Sequence, residues 1–379
     1  MENDVSESFN SHFGKLEDPR VDRTKLYPLV EILFVVLCGS VCGAESWRDF
    51  VIFGKEKLDF LKDYYVFGNG IPSKNTFARV FAALDIETFK TCFTQWVKSL
   101  QTAMNDVIAI DGKTLCNSIA DTSGATAIHM VSAFATNARL VLAQQAVDEK
   151  SNEITAIPKL LKLLDLQGQI VTIDAMGTQK VIAKQIVEQG GDYILALKGN
   201  QGNLNEDVRL FLETELKKTA STAIDDTHQE ADKGHGRIEL RSCVVSSQID
   251  WLNQKEQWVG LKTLVMIEET QEIKGKAAST ERRFFISSLP ANAERIASAV
   301  RAHWLIENGL HWTLDVVFNE DKSRVRKDNA GENMALIRHI TINMLNNAKK
   351  QIKNIGLKAL RKKAGWGNQT LSLILGQNF

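Results

Sequence analysis

Two short runs constrain this chain more than anything else in it: VIAID, ending at Asp111, and IVTID, ending at Asp174. Four consecutive apolar or β-branched residues leave no polar face to turn toward water. Strands of that kind belong inside a sheet covered on both faces, the habit of parallel α/β sheets. Each run then stops at an aspartate. If the two strands lie side by side and parallel, their carboxylates emerge at one edge, where open α/β sheets bind ligands. A single Asp at a strand end is more often a turn or cap residue. The matched pair is the more specific signal.

The surrounding periodicity supplies the rest of a sheet. Residues 127–136 and 140–147 read as strands parted by the turn residues Asn137 and Ala138. Residues 153–164 and 178–189 read as amphipathic helices, and 192–197 as a fifth strand. The order β-β-β-α-β-α-β predicts an α/β fold, an RNase H-like mixed sheet with flanking helices. A chain of 379 residues exceeds one ordinary domain. Residues 1–100 form a helical N-terminal domain, a candidate DNA-binding unit, and 101–199 the first part of the core. Residues 200–282 form a mostly β insertion, 283–345 the second part of the core, and 346–379 a basic C-terminal tail. Strands are expected at 239–246, 258–268 and 283–287, with KGHGR (233–237) as a glycine-flanked basic loop.

Beyond the insertion, 301–329 reads as a long helix running into a charged loop. Asn292 is placed to cap it, with Glu294 in its first turn. Ile306, Leu310, Thr313 and Val317 make the buried stripe; Glu307 lies one residue beyond it and Trp304 one turn before. A carboxylate beside a buried seam is paired, solvated or aimed at a metal. This helix could bring Glu307 to Asp111 and Asp174. Two carboxylates ~4 Å apart repel by about 4 kcal/mol at an effective dielectric near 20, so such a trio calls for cations. Oxygen-only ligands favour Mg²⁺ or Mn²⁺, and two such ions could activate a water or 3′-hydroxyl and stabilise the leaving oxygen. One pattern competes. His303, Glu307, His311 and Asp315 recur every four residues, as in a zinc site, but zinc there would leave Asp111 and Asp174 without a task.

Net charge is zero, with 46 basic and 46 acidic residues, which by itself argues weakly against a nucleic-acid partner. Its distribution argues the other way. No Asp or Glu follows Glu332, while Arg338, Lys349, Lys350, Lys353, Lys358, Arg361, Lys362 and Lys363 do. Such a run is either a solvated face or a phosphate-facing surface. Near the N-terminus, Ser73 caps a helix whose Phe77, Val80, Phe81 and Leu84 face a core. Lys74, Asn75 and Arg79 are left outward, as on the second helix of a helix-turn-helix or on a plain bundle helix. The five cysteines show no C-x-x-C spacing, so reduced thiols are expected, with Cys38 and Cys42 as packing residues. Met1 is followed by acidic and polar residues rather than a signal peptide, and the apolar run 32–44 is too short to span a bilayer.

These residues resemble those of DDE-type transposases of bacterial insertion sequences, and more narrowly the H-repeat-associated proteins found beside Rhs elements. The likeness rests on LEDPR (16–20), YPL (27–29), IDGK (110–113), TIDA (172–175), YILALKGNQ (193–201), DKGHGRIE (232–239) and the block 301–326. It implies that Asp111, Asp174 and Glu307 are the catalytic, metal-holding triad, with Mg²⁺ or Mn²⁺ as cofactor. Its expected partners are double-stranded DNA (the element's terminal repeats and its target) and a second copy of the chain on that DNA. It implies a cytoplasmic, nucleoid-associated protein and no membrane. Related transposases carry Tyr-x-x-Arg-x-x-x-Glu-x₆-Lys around the glutamate. Here those positions are Val300, His303, Glu307 and Leu314, so only the glutamate is kept. The phosphate contacts are then expected from Arg301, Lys322, Arg324 and Arg326, alongside Lys74, Asn75, Arg79, His235, Arg237, Lys349, Lys350 and Lys353. The rival readings are a non-catalytic DNA-binding relic and a host nuclease of the same fold.

Overall fold

The computed structural model describes residues 2–100, 106–115, 127–147, 152–219, 221–234, 237–273 and 277–379. The N-terminal helices are α1 (Glu2–Phe13), α2 (Leu29–Val41), α3 (Trp47–Glu56), α4 (Leu58–Lys62), α5 (Lys74–Ala83) and α6 (Ile86–Leu100). Helix α2 is apolar all round and buried all round, as expected of a helix at the centre of a bundle. Ser46 and Asp49 close a reciprocal capping box on α3. On α5, Ser73 Oγ accepts from the Thr76 amide, and Phe77, Val80 and Phe81 are buried.

Among the described residues, one sheet of nine strands follows. Its first five are β1 (Val107–Thr114), β2 (His129–Ala135), β3 (Leu140–Ala146), β4 (Ile170–Ile173) and β5 (Asp192–Leu197). Helices α7 (Glu153–Leu161) and α8 (Lys180–Glu188) connect them. The strands lie in the order β3-β2-β1-β4-β5, antiparallel from β3 to β1 and parallel from β1 to β5. This is the RNase H-like arrangement, built as the runs around Asp111 and Asp174 required. Ile110 pairs with Ile173, so Asp111 and Asp174 are the next residues on adjacent parallel strands.

The insertion departs from expectation in four ways. It opens with a helix, α9 (Asn203–Leu216), whose Leu204, Val208 and Leu212 are buried at helical spacing. Its strands β6 (Asp226–Gly234), β7 (Arg237–Ser246), β8 (Thr263–Ile273) and β9 (Ser279–Ser287) do not make a separate piece. They prolong the core sheet as β5-β9-β8-β7-β6, because β9 pairs antiparallel with β5. Strand β8 also begins later than expected, since Gly260 turns at φ 76 and Trp258 is buried ahead of the strand. The presumed loop 233–237 is instead the end of a hairpin, Gly234 pairing with Arg237. His235 lies outside the described residues.

Helix α10 (Ala293–Leu305), capped by Asn292 through the Arg295 amide, crosses one face of this long sheet. Its Ile296, Ala299 and Val300 pack on Val107, Ile170, Ile194, Cys243, Val265 and Phe285. The expected continuous helix is interrupted: residues Ile306–His311 form a π-helical turn before α11 (Trp312–Val316). The buried stripe Ile306, Leu310, Thr313 and Val317 survives the interruption. Helix α12 (Ala330–Ala348) is buried along most of its length. Asn343 pairs its side-chain amide with both main-chain groups of Val141 on the edge strand β3 (2.7 and 2.9 Å), which blunts that edge.

The C-terminal stretch is folded rather than a free basic tail. Helices α13 (Leu357–Trp366) and α14 (Asn368–Gly376) join a core that runs from Val5 to Leu375. Phe379 packs on Phe9, Phe13 and Trp96, and Trp96 Nε1 donates to the Asn378 carbonyl at 3.0 Å. Two of the tail's cations are therefore not phosphate-facing. Arg361 is buried, donating to the Ser40 and Val317 carbonyls, and buried Arg338 pairs with Glu320 at 3.0 Å. Among the described residues no helix is long and apolar enough to cross a membrane.

Candidate active site

Successive residues on a strand point to opposite faces, and β1 uses both. On one face, a Cβ added at Gly112 would meet Glu153 Oε1 at 2.2 Å and His129 Nε2 at 2.5 Å, so α7 closes down on that position. Asp111, on the other face, looks toward the π turn, with His311 Nδ1 3.5 Å from its Oδ2. Asp174 ends β4 by accepting the amides of Met176 and Gly177 at 3.1 and 3.2 Å, an Asx turn leading into α8. The chain after β5 braces that turn. Asn200 Nδ2 donates to the Ala175 carbonyl at 2.7 Å and Gln201 Nε2 to that of Thr178 at 2.8 Å. The residues GNQ, read only as part of a likeness, thus hold the loop behind Asp174.

Asp111, Asp174 and Glu307 line one cleft of about 510 Å³, together with Lys198, Arg283, His303 and Trp304. Among the described residues, none of the three carboxylates is in an ion pair with a lysine or arginine. Burial pushes the Asp111 carboxyl up to about 7, against the opposing Gly112 amide and with help from the charges of Asp174, Glu153 and Glu307. Such a set of oxygen donors, charged against one another and lacking a cationic partner, suits a hard divalent ion. Among the described residues, no three His, Cys, Asp or Glu side chains gather around one point closely enough to ligate a single ion. The acids stand on the walls of the cleft.

The four-residue stripe that suggested zinc is dispersed among separate partners. His303 Nδ1 lies 2.9 Å from Thr172 Oγ1, Asp315 pairs with Lys113 at 2.7 Å, and His311 faces Asp111. Burial holds both histidines down at about 4, so they are neutral and add no positive charge to the cleft. Lys113 was quoted from the sequence only within the motif, but it ties the site together. Its ammonium lies 2.7 Å from Asp315, 3.0 Å from Asp321 and 3.7 Å from Glu320, fastening the end of β1 to the chain that follows the π turn. Burial opposes that charge, and these acids more than offset it, so its pKa is raised.

The residues expected to contact DNA divide into two groups. Arg301 is committed to Glu230 (2.7 Å) and Asp232 (3.0 Å), and Arg237 to Glu239 (2.5 Å). Both are paired with acids of the extended sheet. Lys74, Asn75 and Arg79 are exposed on α5; Lys322, Arg324, Lys350 and Lys353 are exposed, and Lys349 and Arg326 are half-buried. Trp304 is 40 % exposed, with the Arg283 guanidinium 4.7 Å over its ring. Of the motif positions that differ, Val300 and Leu314 are buried, so packing has replaced a phenol and an ammonium there.

Comparison with known proteins identifies the family. Residues 78–344 match the family described as "Transposase DDE domain", and residues 10–97 the "DDE_Tnp_1-associated" family. The chain is 42 % identical over 369 residues to "H repeat-associated putative transposase YhhI" of Escherichia coli K12, covering 96 % of each. It is 40 % identical over 361 residues to "Putative transposase YncI" of Escherichia coli O157:H7, covering 94 % of this chain and 91 % of that one. Among solved structures, the piggyBac transposase synaptic complex with hairpin DNA aligns with a TM-score of 0.45 at 12 % identity, over 99 % of this chain and 78 % of that one.

Proposed function

This chain belongs to the DDE transposase family, and on that footing we propose that it cuts and rejoins DNA by metal-assisted phosphoryl transfer at Asp111, Asp174 and Glu307. The observation that carries the reading is the shared cleft: three carboxylates from two strand ends and a π turn, none of them, among the described residues, in an ion pair with a lysine or arginine. These residues would hold Mg²⁺ or Mn²⁺, which when bound supplies activation of a water or 3′-hydroxyl and stabilisation of the leaving oxygen.

The protein's part is positioning. Asn200 and Gln201 hold the turn that carries Asp174. Lys113 fastens β1 to the segment after the π turn, which keeps Asp111 and Glu307 on facing walls. Lys198 on the lining places positive charge where a phosphate would enter. Neutral His303 and His311 add no positive charge beside the acids. The DNA partners are the element's ends and its target, bound by a pair of chains. Asn75 and Arg79 would read the ends, while Lys322, Arg324, Lys350 and Lys353 would hold phosphates.

The test is cleavage of the element's terminal DNA by metal-stripped protein. Added Mg²⁺ or Mn²⁺ is expected to restore cutting to the parent and not to Asp111→Asn or Asp174→Asn, each still folded and still binding DNA. The purified chain is expected to carry no stoichiometric zinc. Mg²⁺-dependent cutting by either variant would remove that residue from the site.

A further inference from the structure

The π turn that takes Glu307 into the acidic cleft also contributes Asn308 and Gly309 to another cavity, of about 310 Å³. Its lining includes Arg139, Lys349, Lys358 and Trp312 and, among the described residues, no acidic residue. We propose that this cavity holds an unpaired DNA strand beside the cut, with its phosphates on Arg139, Lys349 and Lys358 and a base stacked on Trp312. The proposal rests on the transposase reading and adds to it a site and a strand.

Charge makes the first part of the argument. Arginines elsewhere around the π turn are spent on acids: Arg301 on Glu230 and Asp232, Arg241 on Glu230 and Glu269, Arg283 on Glu281. Among the described residues, none of the three cations of this cavity is in an ion pair. Three unneutralised cations around one hollow repel one another unless an anion joins them. Arg139 also sits at φ 55, a conformation uncommon for a long side chain, while Asn346 Nδ2 holds its carbonyl at 2.9 Å. The strained turn keeps a cation at the rim.

The aromatic ring makes the second part. Trp312 is 55 % exposed on a helix of five residues, whereas Trp96 and Trp258 are buried. A surface for duplex backbone needs cations alone. Cations interleaved with an accessible ring are the equipment for an unpaired strand, whose bases offer faces for stacking. Position makes the third part. Asn308 and Gly309 share the six-residue π turn with Glu307, so a strand held here lies next to the place where cutting would create a free end.

The experiment compares binding of a labelled oligothymidylate and a blunt duplex by the full-length chain in EDTA, where no cutting occurs. Trp312→Ala is expected to weaken the strand by about fivefold to a hundredfold and leave the duplex unchanged, with Trp312→Phe keeping most of the strand affinity. Replacing Arg139, Lys349 and Lys358 with Gln together is expected to flatten the salt dependence of strand binding. Full strand affinity in Trp312→Ala, or equal loss of strand and duplex, overturns the proposal. If the parent also cuts element ends, that result removes this cavity and spares the proposed function; a parent that binds neither DNA removes both.

Discussion

At the scale of single residues, Asp111 is where the sequence and the structure meet most directly. Its place at the end of a wholly apolar run was legible, because only a covered strand tolerates such a run and the matching run that ends at Asp174 set the acid apart from an ordinary turn residue. Its surroundings were not legible: His311 faces it and the charge of Glu153 acts on it from elements that no local pattern connects to β1. The raised carboxyl carries a stability prediction. Between pH 4 and 7 the folded chain keeps a proton that the unfolded chain, with an ordinary aspartate, has released. Stability is therefore lost as pH rises through that window. Without metal, Asp111→Asn is expected to match the parent near pH 4 and exceed it by about 2 kcal/mol at pH 8 in urea unfolding. Adding Mg²⁺ at pH 8 is expected to stabilise the parent and leave the variant unmoved. Equal stabilities at both pH values would contradict the reading of this site. Lys113 makes the opposite case. Lys113→Met would leave Asp315, Glu320 and Asp321 without it, and a loss of about 3–5 kcal/mol is expected; a change under ~1 kcal/mol would show that the clamp is only a surface contact.

At the scale of elements, the strands of the core were readable and the insertion was read only in part. Strand β6 alternates half-buried and exposed positions with few apolar residues, so neither its composition nor its hydropathy announced it. Its place in the sheet comes from pairing with β7 over nine residues, a tertiary fact. Helix α9 did carry a signal in Leu204, Val208 and Leu212, outweighed by the expectation of strands. The π turn was invisible for another reason: Ile306, Leu310, Thr313 and Val317 repeat closely enough to satisfy an α-helix. The exposed cations permit a test at this scale. Changing Lys350 and Lys353 to Gln is expected to weaken binding to any duplex and lower the salt slope by about one to two. Asn75→Ala or Arg79→Ala is expected instead to lower the preference for element ends over random DNA. An unchanged salt slope would mark 350–353 as a solvated surface, and an unchanged preference would mark α5 as a bundle helix.

At the scale of the whole molecule, the two ends of the chain are one packing unit. Phe9, Phe13 and Trp96 from the N-terminal helices close on Phe379, while Arg361 bridges the Ser40 carbonyl of α2 to that of Val317, just beyond α11. A run of cations with no acid reads as an exposed arm, and the partners that bury two of them, Glu320 for Arg338 and the Ser40 and Val317 carbonyls for Arg361, lie outside that run. Removal of residues 357–379 is expected to expose that aromatic cluster and give aggregated protein on gel filtration; a soluble monomer with a parental melting temperature would contradict it. The shared core also fixes where Glu307 stands, since α10, the π turn and α12 are held between the extended sheet and the helical N-terminal part. The central claim is that Glu307 completes a DNA-cutting site with Asp111 and Asp174. It is tested most directly by single-turnover cleavage of pre-bound element ends in Mg²⁺, comparing the parent with Glu307→Gln and Glu307→Asp. The account predicts unchanged DNA affinity, a fall in rate of at least about a hundredfold for Gln, and a smaller fall for Asp, which keeps the charge on a shorter reach. Parental cleavage by Glu307→Gln would contradict it.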